Sequence, residues 1–231
     1  MKLSDRLEAI LRAVPACRLA ADVGTDHAFL PIELVRRQIC VKALALDISP
    51  GPLETAAAHI EAAGLSGSIG VRRSDGLAAL APGEADVIVI AGMGGPLIAR
   101  ILREGAETAA AAQTLILSPQ SEIPEFRHFL AENGYEIRGE AMLEEDGKYY
   151  VILTVVRGTM AGWTEVDFQY GRFLLAERPA VLLRYLRRRL ASQEEVLRQL
   201  AGNTAPAASE RAALIRRQQA VLRKLLGGAG C

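Results

Sequence analysis

Arg18-Leu19-Ala20-Ala21-Asp22-Val23-Gly24-Thr25-Asp26-His27 is the stretch on which the reading of this chain turns. A short aliphatic run ends at Asp22-Val23, breaks at Gly24 and leads into a helical segment at about 28–38. This is a strand, a turn and a helix, with a glycine where the backbone must come close to a ligand. A G-x-G-x-x-G fingerprint is absent. Asp26 and His27 stand where further glycines would be, and their bulk and charge argue against a pyrophosphate at this turn and so against a dinucleotide.

Moving outward, short β-branched or aliphatic runs alternate with amphipathic stretches, the pattern of βαβ units and a parallel sheet. Strands are predicted at 18–22, 41–47, 69–73, 86–91 and 114–118, and helices at about 28–38, 50–63, 95–112 and 121–133, with Pro52 near the start of the second and Gly134 capping the last. Two extended runs then follow, 135–143 and 149–156, joined by Glu145-Asp146-Gly147-Lys148, where Asp-Gly is a strong hairpin signal. The fold class is therefore α/β, a Rossmann-like sheet that is mostly parallel and closes in an antiparallel hairpin, the ending found in class I methyltransferases. Residues 1–158 are expected to form this domain.

Acids stand at successive strand tips. Asp22 ends the first strand, Asp47 the second, about two dozen residues beyond the turn where a carboxylate can grip ribose hydroxyls, and Asp75-Gly76 follows the third. Singly, Asp26 reads as a helix cap, His27 as structural and Asp-Gly as a turn; together the acids mark a ligand at the carboxyl edge of the sheet. S-adenosylmethionine has no phosphate and carries an ammonium and a sulfonium, so Asp22 and Asp26 would attract it. The fourth strand ends in Ala91-Gly92-Met93-Gly94-Gly95-Pro96, which lacks the Lys-Ser/Thr of a P-loop and reads as exposed backbone for the methyl donor and a flat base. Gln120, after the fifth strand, can hydrogen-bond an acceptor.

Beyond Gly158 the β signal stops. Leu183, Leu186, Leu190, Gln193, Leu197 and Leu200 alternate spacings of three and four, and Ile215, Gln218, Leu222 and Leu225 repeat this after the breaker Gly202-Asn203-Thr204-Ala205-Pro206. Residues 159–231 are expected to be a small helical coiled-coil domain, its two helices packed as an antiparallel hairpin. The net charge of zero conceals an asymmetry: residues 1–157 carry 15 Lys+Arg against 21 Asp+Glu, and residues 158–231 carry 12 against 6. A basic helical appendage on an acidic domain suits a polyanion, nucleic acid above all, as well as a merely solvated face.

Half of the 231 residues are hydrophobic, enough for a real core, and no apolar run approaches the roughly 20 residues of a membrane span. Met1-Lys2-Leu3-Ser4-Asp5-Arg6 reads as an amphipathic helix opening rather than a secretion signal, and the expected address is the cytoplasm. Cys17, Cys40 and Cys231 lie far apart with no metal-ligand spacing, which predicts buried or terminal thiols and no metal.

Three stretches, Asp22-Val23-Gly24-Thr25-Asp26-His27-Ala28-Phe29-Leu30-Pro31, Ala91-Gly92-Met93-Gly94-Gly95 and Glu144-Glu145-Asp146-Gly147-Lys148-Tyr149-Tyr150, resemble the signatures of the bacterial tRNA (adenine(22)-N1)-methyltransferases, in order over almost the whole chain. The resemblance implies a class I S-adenosylmethionine-dependent enzyme that methylates N1 of adenosine 22 in tRNA; a monomer is expected. It implies that Asp22, Gly24, Asp26 and His27 line the cofactor loop, Asp47 the ribose, Asp75 and Gly76 the adenine, and Gly92 and Met93 the methionine moiety, with Ile48 also expected in the cofactor site. The expected catalytic set is Asp26, Met93, Gly94, Gly95 and Gln120, with the target base entering a cleft beside Gly94 and Gly95. Arg184, Arg187, Arg188, Arg216 and Arg217 would hold tRNA phosphates. Two positions depart from the family: Phe29 stands where Tyr is usual, and Asp47 where many members have Glu. Methylation of another RNA position, or non-catalytic RNA binding on a retained nucleotide fold, are the alternatives.

Overall fold

The computed structural model describes residues 3–201 and 205–227. Seven strands, β1 (Cys17–Val23), β2 (Cys40–Asp47), β3 (Ile69–Arg73), β4 (Val87–Met93), β5 (Thr114–Pro119), β6 (Tyr135–Glu145) and β7 (Lys148–Arg157), form one sheet in the order β3-β2-β1-β4-β5-β7-β6. The first five run parallel, and β7 pairs antiparallel with both β5 and β6. Chain order reverses between β1 and β4, so a crevice is expected outside their carboxyl ends. The central strands are continuous aliphatic runs because they are covered on both faces, with Ile88, Ile90, Ile116 and Leu117 fully buried. The β6–β7 connection is the two-residue turn read from Asp-Gly, with φ of 50° at Asp146 and 71° at Gly147.

Ten helices complete the described chain: α1 (Asp5–Ala13), α2 (Phe29–Arg36), α3 (Pro50–Ala62), α4 (Gly95–Glu104), α5 (Ala106–Ala111), α6 (Ile123–Glu132), α7 (Glu165–Tyr170), α8 (Arg172–Glu177), α9 (Ala180–Leu200) and α10 (Pro206–Gly227). The single helix expected over 95–112 is two, broken at Gly105, whose backbone lies so close to Leu77 that a side chain there would collide with it. Ser4 caps α1, its hydroxyl accepting from the Leu7 amide at 3.2 Å. Both Glu8 oxygens then accept from Arg37 at 2.9 Å, tying α1 to the residue after α2.

Two compact units divide at Leu175/Ala176 rather than at the expected 158/159. The reason is a buried ion pair. Arg127 Nε donates to Glu140 at 2.8 Å, and both side chains are almost wholly excluded from solvent. Arg127 Nη1 also donates to the Phe168 carbonyl at 3.0 Å, and Glu140 Oε2 accepts from the Phe173 amide at 3.0 Å. Two desolvated charges need this many partners to be tolerable, and the partners come from the segment after Gly158. His128 stacks on Phe168 with ring centroids 3.9 Å apart, and residues 159–175 stay with the sheet.

The second unit is an antiparallel helical hairpin. Gln193 donates to Gln218 at 2.9 Å across the pair, and Arg223 lies 3.3 Å from Glu194. Leu186, Ile215 and Leu222 of the expected seam are buried, joined by Leu182, Ala208, Ala212 and Gln219, while Leu183, Leu190, Leu197 and Leu200 are half-buried. Gly202, Asn203 and Thr204 of the breaker, together with Cys231, lie outside the described residues. Cys17 and Cys40 are free thiols on paired strands, Cys40 buried and pushed up to about 12 by desolvation. Among the described residues no helix is long and apolar enough to cross a membrane, and no cluster of His, Cys, Asp or Glu could hold a metal ion.

Candidate active site

A cavity of about 380 Å³ opens at the carboxyl ends of β1, β2 and β4, where the topology reverses. Asp22 and Gly24 form one wall, Asp47 the next, and Ala91, Gly92 and Met93 the third, while Asp26 and Gln120 stand at its edge. Asp22 is the buried acid. Removal from water pushes its carboxyl up to about 6, the Thr25 side chain opposes the rise, and the nearby negative Asp47 and Asp26 add to it. Asp47 spends one oxygen on the Ser49 amide at 2.7 Å, and Asp26 is exposed, within 3.0 Å of His27 Nε2.

The turn itself carries a structural argument against a phosphate ligand. The amides of Gly24 and Thr25 both donate to the Leu46 carbonyl, at 2.8 and 2.9 Å. A pyrophosphate at this position would need those N–H groups. Gly24 has φ of +74°, and the Met93 methyl lies over it in the space that a side chain would fill.

His27 and Ala28 adopt left-handed φ values of 60° and 57°, which turn the chain sharply into α2. In consequence the His27 ring leaves the cavity and stacks on Phe29 at 5.3 Å; Phe29 stacks in turn on His59 at 5.3 Å and lines the cavity itself. His59 Nδ1 lies 3.0 Å from the His27 carbonyl and fixes the turn.

Of the residues anticipated from sequence, Asp22, Gly24, Asp26, Asp47, Gly92, Met93 and Gln120 come together in this cavity. Six do not line it. His27 is held in the aromatic stack; Ile48 and Asp75 are exposed on the same sheet edge, Asp75 with Arg100 at 3.9 Å; Gly76 packs on Ile101. Gly94 and Gly95 pack against the loop after β5, where a Cβ on either would run into Ser121, at 2.9 Å from its hydroxyl or 2.6 Å from its carbonyl. Those two glycines seat α4 against the loop after β5. Arg6, Leu7 and Ile10 of α1, with Leu30, also line the cavity and were not anticipated; a single arginine in an amphipathic helix carries no local sequence signal. A wider depression of about 660 Å³ between 77–82 and 104–108 has little convergent polar chemistry, the Thr108 hydroxyl being committed to the Leu80 carbonyl.

The family model described as tRNA (adenine(22)-N(1))-methyltransferase matches residues 20–222, from the middle of β1 into α10. The chain belongs to this family. The tRNA (adenine(22)-N(1))-methyltransferase of Bacillus subtilis is 36% identical over 205 residues, 87% of this chain and 86% of that one. A Streptococcus pneumoniae protein proposed as a tRNA (m1A22) methyltransferase, solved in complex with S-adenosyl-L-methionine, is 36% identical with a TM-score of 0.87 over 97% of this chain and 100% of its own. M. capricolum TrmK, solved with S-adenosyl-homocysteine, is 25% identical with a TM-score of 0.82 over 98% and 99%.

In the second unit all five arginines singled out from sequence, Arg184, Arg187, Arg188, Arg216 and Arg217, are exposed. Arg184, Arg187 and Arg188 follow i, i+3, i+4 spacing and share one face of α9. Residues 176–231 carry 11 Lys+Arg against 4 Glu.

Proposed function

We propose that this chain is an S-adenosylmethionine-dependent methyltransferase acting on N1 of adenosine 22 in tRNA, with Met1–Leu175 as the catalytic unit and the α9–α10 hairpin as a tRNA-holding unit. The observation that carries the reading is the cavity at the β1/β4 switch point, acid-lined and closed to phosphate by the Leu46 carbonyl, in a member of this family.

The donor set fits the cofactor. Asp47 has an oxygen left after Ser49 for a ribose diol, with a shorter reach than the glutamate common in the family. Exposed Ile48 offers an apolar face to the adenine, and Asp75 an acceptor for its amino group. Asp22 meets the ammonium, and Gly24 leaves room for the chain that bears it. The cofactor, when bound, supplies an electrophilic methyl on its sulfonium.

The protein has to position rather than deprotonate, because N1 of adenine carries a free lone pair at neutral pH. Gly92, Met93 and Gln120 border the space left for the acceptor, Phe29 presents a ring without the family's usual hydroxyl, and Asp26 at the rim offers negative charge to the base that becomes cationic. The base enters where Gly92 and Gln120 border the cavity. The arginines of α9 and α10 grip phosphates. Calorimetry with S-adenosyl-homocysteine tests the assignment: the unmutated chain binds, and Asp47→Ala binds about 10–100-fold more weakly through loss of charge-assisted hydrogen bonds. Equal affinities would remove the ribose role and, with it, the orientation of the cofactor.

A further inference from the structure

A cavity of about 350 Å³ lies in the first unit at the opposite edge of the sheet and shares no lining residue with the acid-lined one. Chain direction puts it there. The helices α4 and α6 return antiparallel to the strands, so their last turns meet the first residue of β6 and the last of β7 beside the start of β5.

Two guanidiniums line this cavity, each laid on an aromatic ring: Arg103 over Phe129 at 5.3 Å and Arg157 over Tyr135 at 4.8 Å. Arg157 is fixed further. Its Nη1 donates to the Asn133 carbonyl at 2.8 Å, and the guanidinium packs on Gly134, where a Cβ would lie 2.9 Å from Nη2. Among the described residues neither arginine forms an ion pair. Glu107, four residues after Arg103, lines the cavity too, but the helix break at Gly105 between them removes the i, i+4 geometry. The cavity therefore carries two unpaired cations against one carboxylate, and Leu102, Ala106 and Ala110 add an apolar wall.

We propose that this cavity is a second ligand site, for a nucleoside monophosphate: the phosphate bound by Arg103 and Arg157, the base on the Leu102–Ala106–Ala110 wall and its exocyclic amino group against Glu107. A phosphomonoester carries a charge of about −1.5 to −2 at pH 7 and suits two guanidiniums, which bind it through charge-assisted hydrogen bonds. A dicarboxylate would match the cations but leave the apolar wall and Glu107 without a partner. The volume is at the small end for ligand cavities, which fits one nucleotide and excludes a dinucleotide.

The test is calorimetry of AMP, GMP and CMP on the full chain, with and without saturating S-adenosyl-homocysteine, beside adenosine and inorganic phosphate as the separate parts. At least one of the three nucleotides is expected to bind whether or not S-adenosyl-homocysteine is present, and each part at least about tenfold more weakly. Arg103 is exposed and rests on Phe129, so Arg103→Met should fold as the unmutated chain does, with the same urea midpoint. It is expected to weaken the nucleotide about 10–100-fold and leave S-adenosyl-homocysteine binding unchanged, with partial recovery in Arg103→Lys. Failure of all three nucleotides to bind overturns the proposal, as does equal binding by Arg103→Met and the unmutated chain. Nucleotide binding that S-adenosyl-homocysteine abolishes belongs to the other cavity and overturns it too. Loss of tRNA affinity in Arg103→Met without nucleotide binding to the unmutated chain also overturns it and makes Arg103 an RNA phosphate contact.

Discussion

Replacing Asp22 with Asn should make the protein more stable and unable to hold its cofactor. Burial raises the Asp22 carboxyl from 3.8 to about 6. A carboxyl whose folded pKa lies above its unfolded value disfavours folding once ionised. The penalty is absent below about 3.8, grows between 3.8 and about 6, and is complete above that. At about 1.4 kcal/mol per pH unit the displacement corresponds to about 3 kcal/mol at neutral pH. Asn keeps the shape without the charge, so urea denaturation at pH 7.5 should show Asp22→Asn more stable by up to about 3 kcal/mol, an advantage that vanishes near pH 4. Calorimetry at pH 7.5 should show S-adenosyl-homocysteine bound at least about 100-fold more weakly, since an anion facing an ammonium is lost. The outcome that refutes the reasoning is a variant less stable than the unmutated chain at pH 7.5 and unchanged in affinity; Asp22 would then be a structural acid.

Other consequences follow from the same geometry. Affinity for S-adenosyl-homocysteine should fall about tenfold per pH unit below about 6, as Asp22 takes up a proton, which a calorimetric pH series would read. Gly24→Ala puts a side chain into the Met93 methyl at φ of +74°, so it should cost about 1–2 kcal/mol of stability and weaken cofactor binding; Met93→Ala in the same chain should recover part of the affinity but not the backbone strain. Arg127→Met strands Glu140 in the core and should cost about 3–5 kcal/mol in denaturation experiments. Substituting Arg184, Arg187, Arg188, Arg216 and Arg217 together with Gln should leave S-adenosyl-homocysteine affinity intact while weakening tRNA binding and flattening its salt dependence by filter binding.

The sheet was legible because its signals are local and repeated. Continuous aliphatic runs, Gly or Asp at each strand end and one Asp-Gly turn suffice for a parallel sheet that closes in a hairpin. Asp22 and Asp47 at the tips were legible for the same reason, and the single-glycine turn has its amides spent on Leu46. What sequence did not reveal depends on contacts between distant segments. Gly94 and Gly95 read as ligand-facing backbone, yet their lack of side chains serves the approach of Ser121. His27 reads as a site residue, yet two left-handed residues turn its ring onto Phe29. Arg6 lines the cavity about 140 residues from Glu145, which accepts from its amide, and the Arg127–Glu140 pair holds residues 159–175 to a sheet that the chain has by then left.

The central claim is a methyl transfer to one atom of one nucleotide. Incubating the full chain with methyl-labelled S-adenosylmethionine and unmodified tRNA, then mapping the label by digestion and mass spectrometry, tests it directly. The account predicts label at N1 of adenosine 22, and none with Asp47→Ala at cofactor concentrations that saturate the unmutated chain. Label at another nucleotide, or none from a protein that binds both tRNA and cofactor, would contradict it.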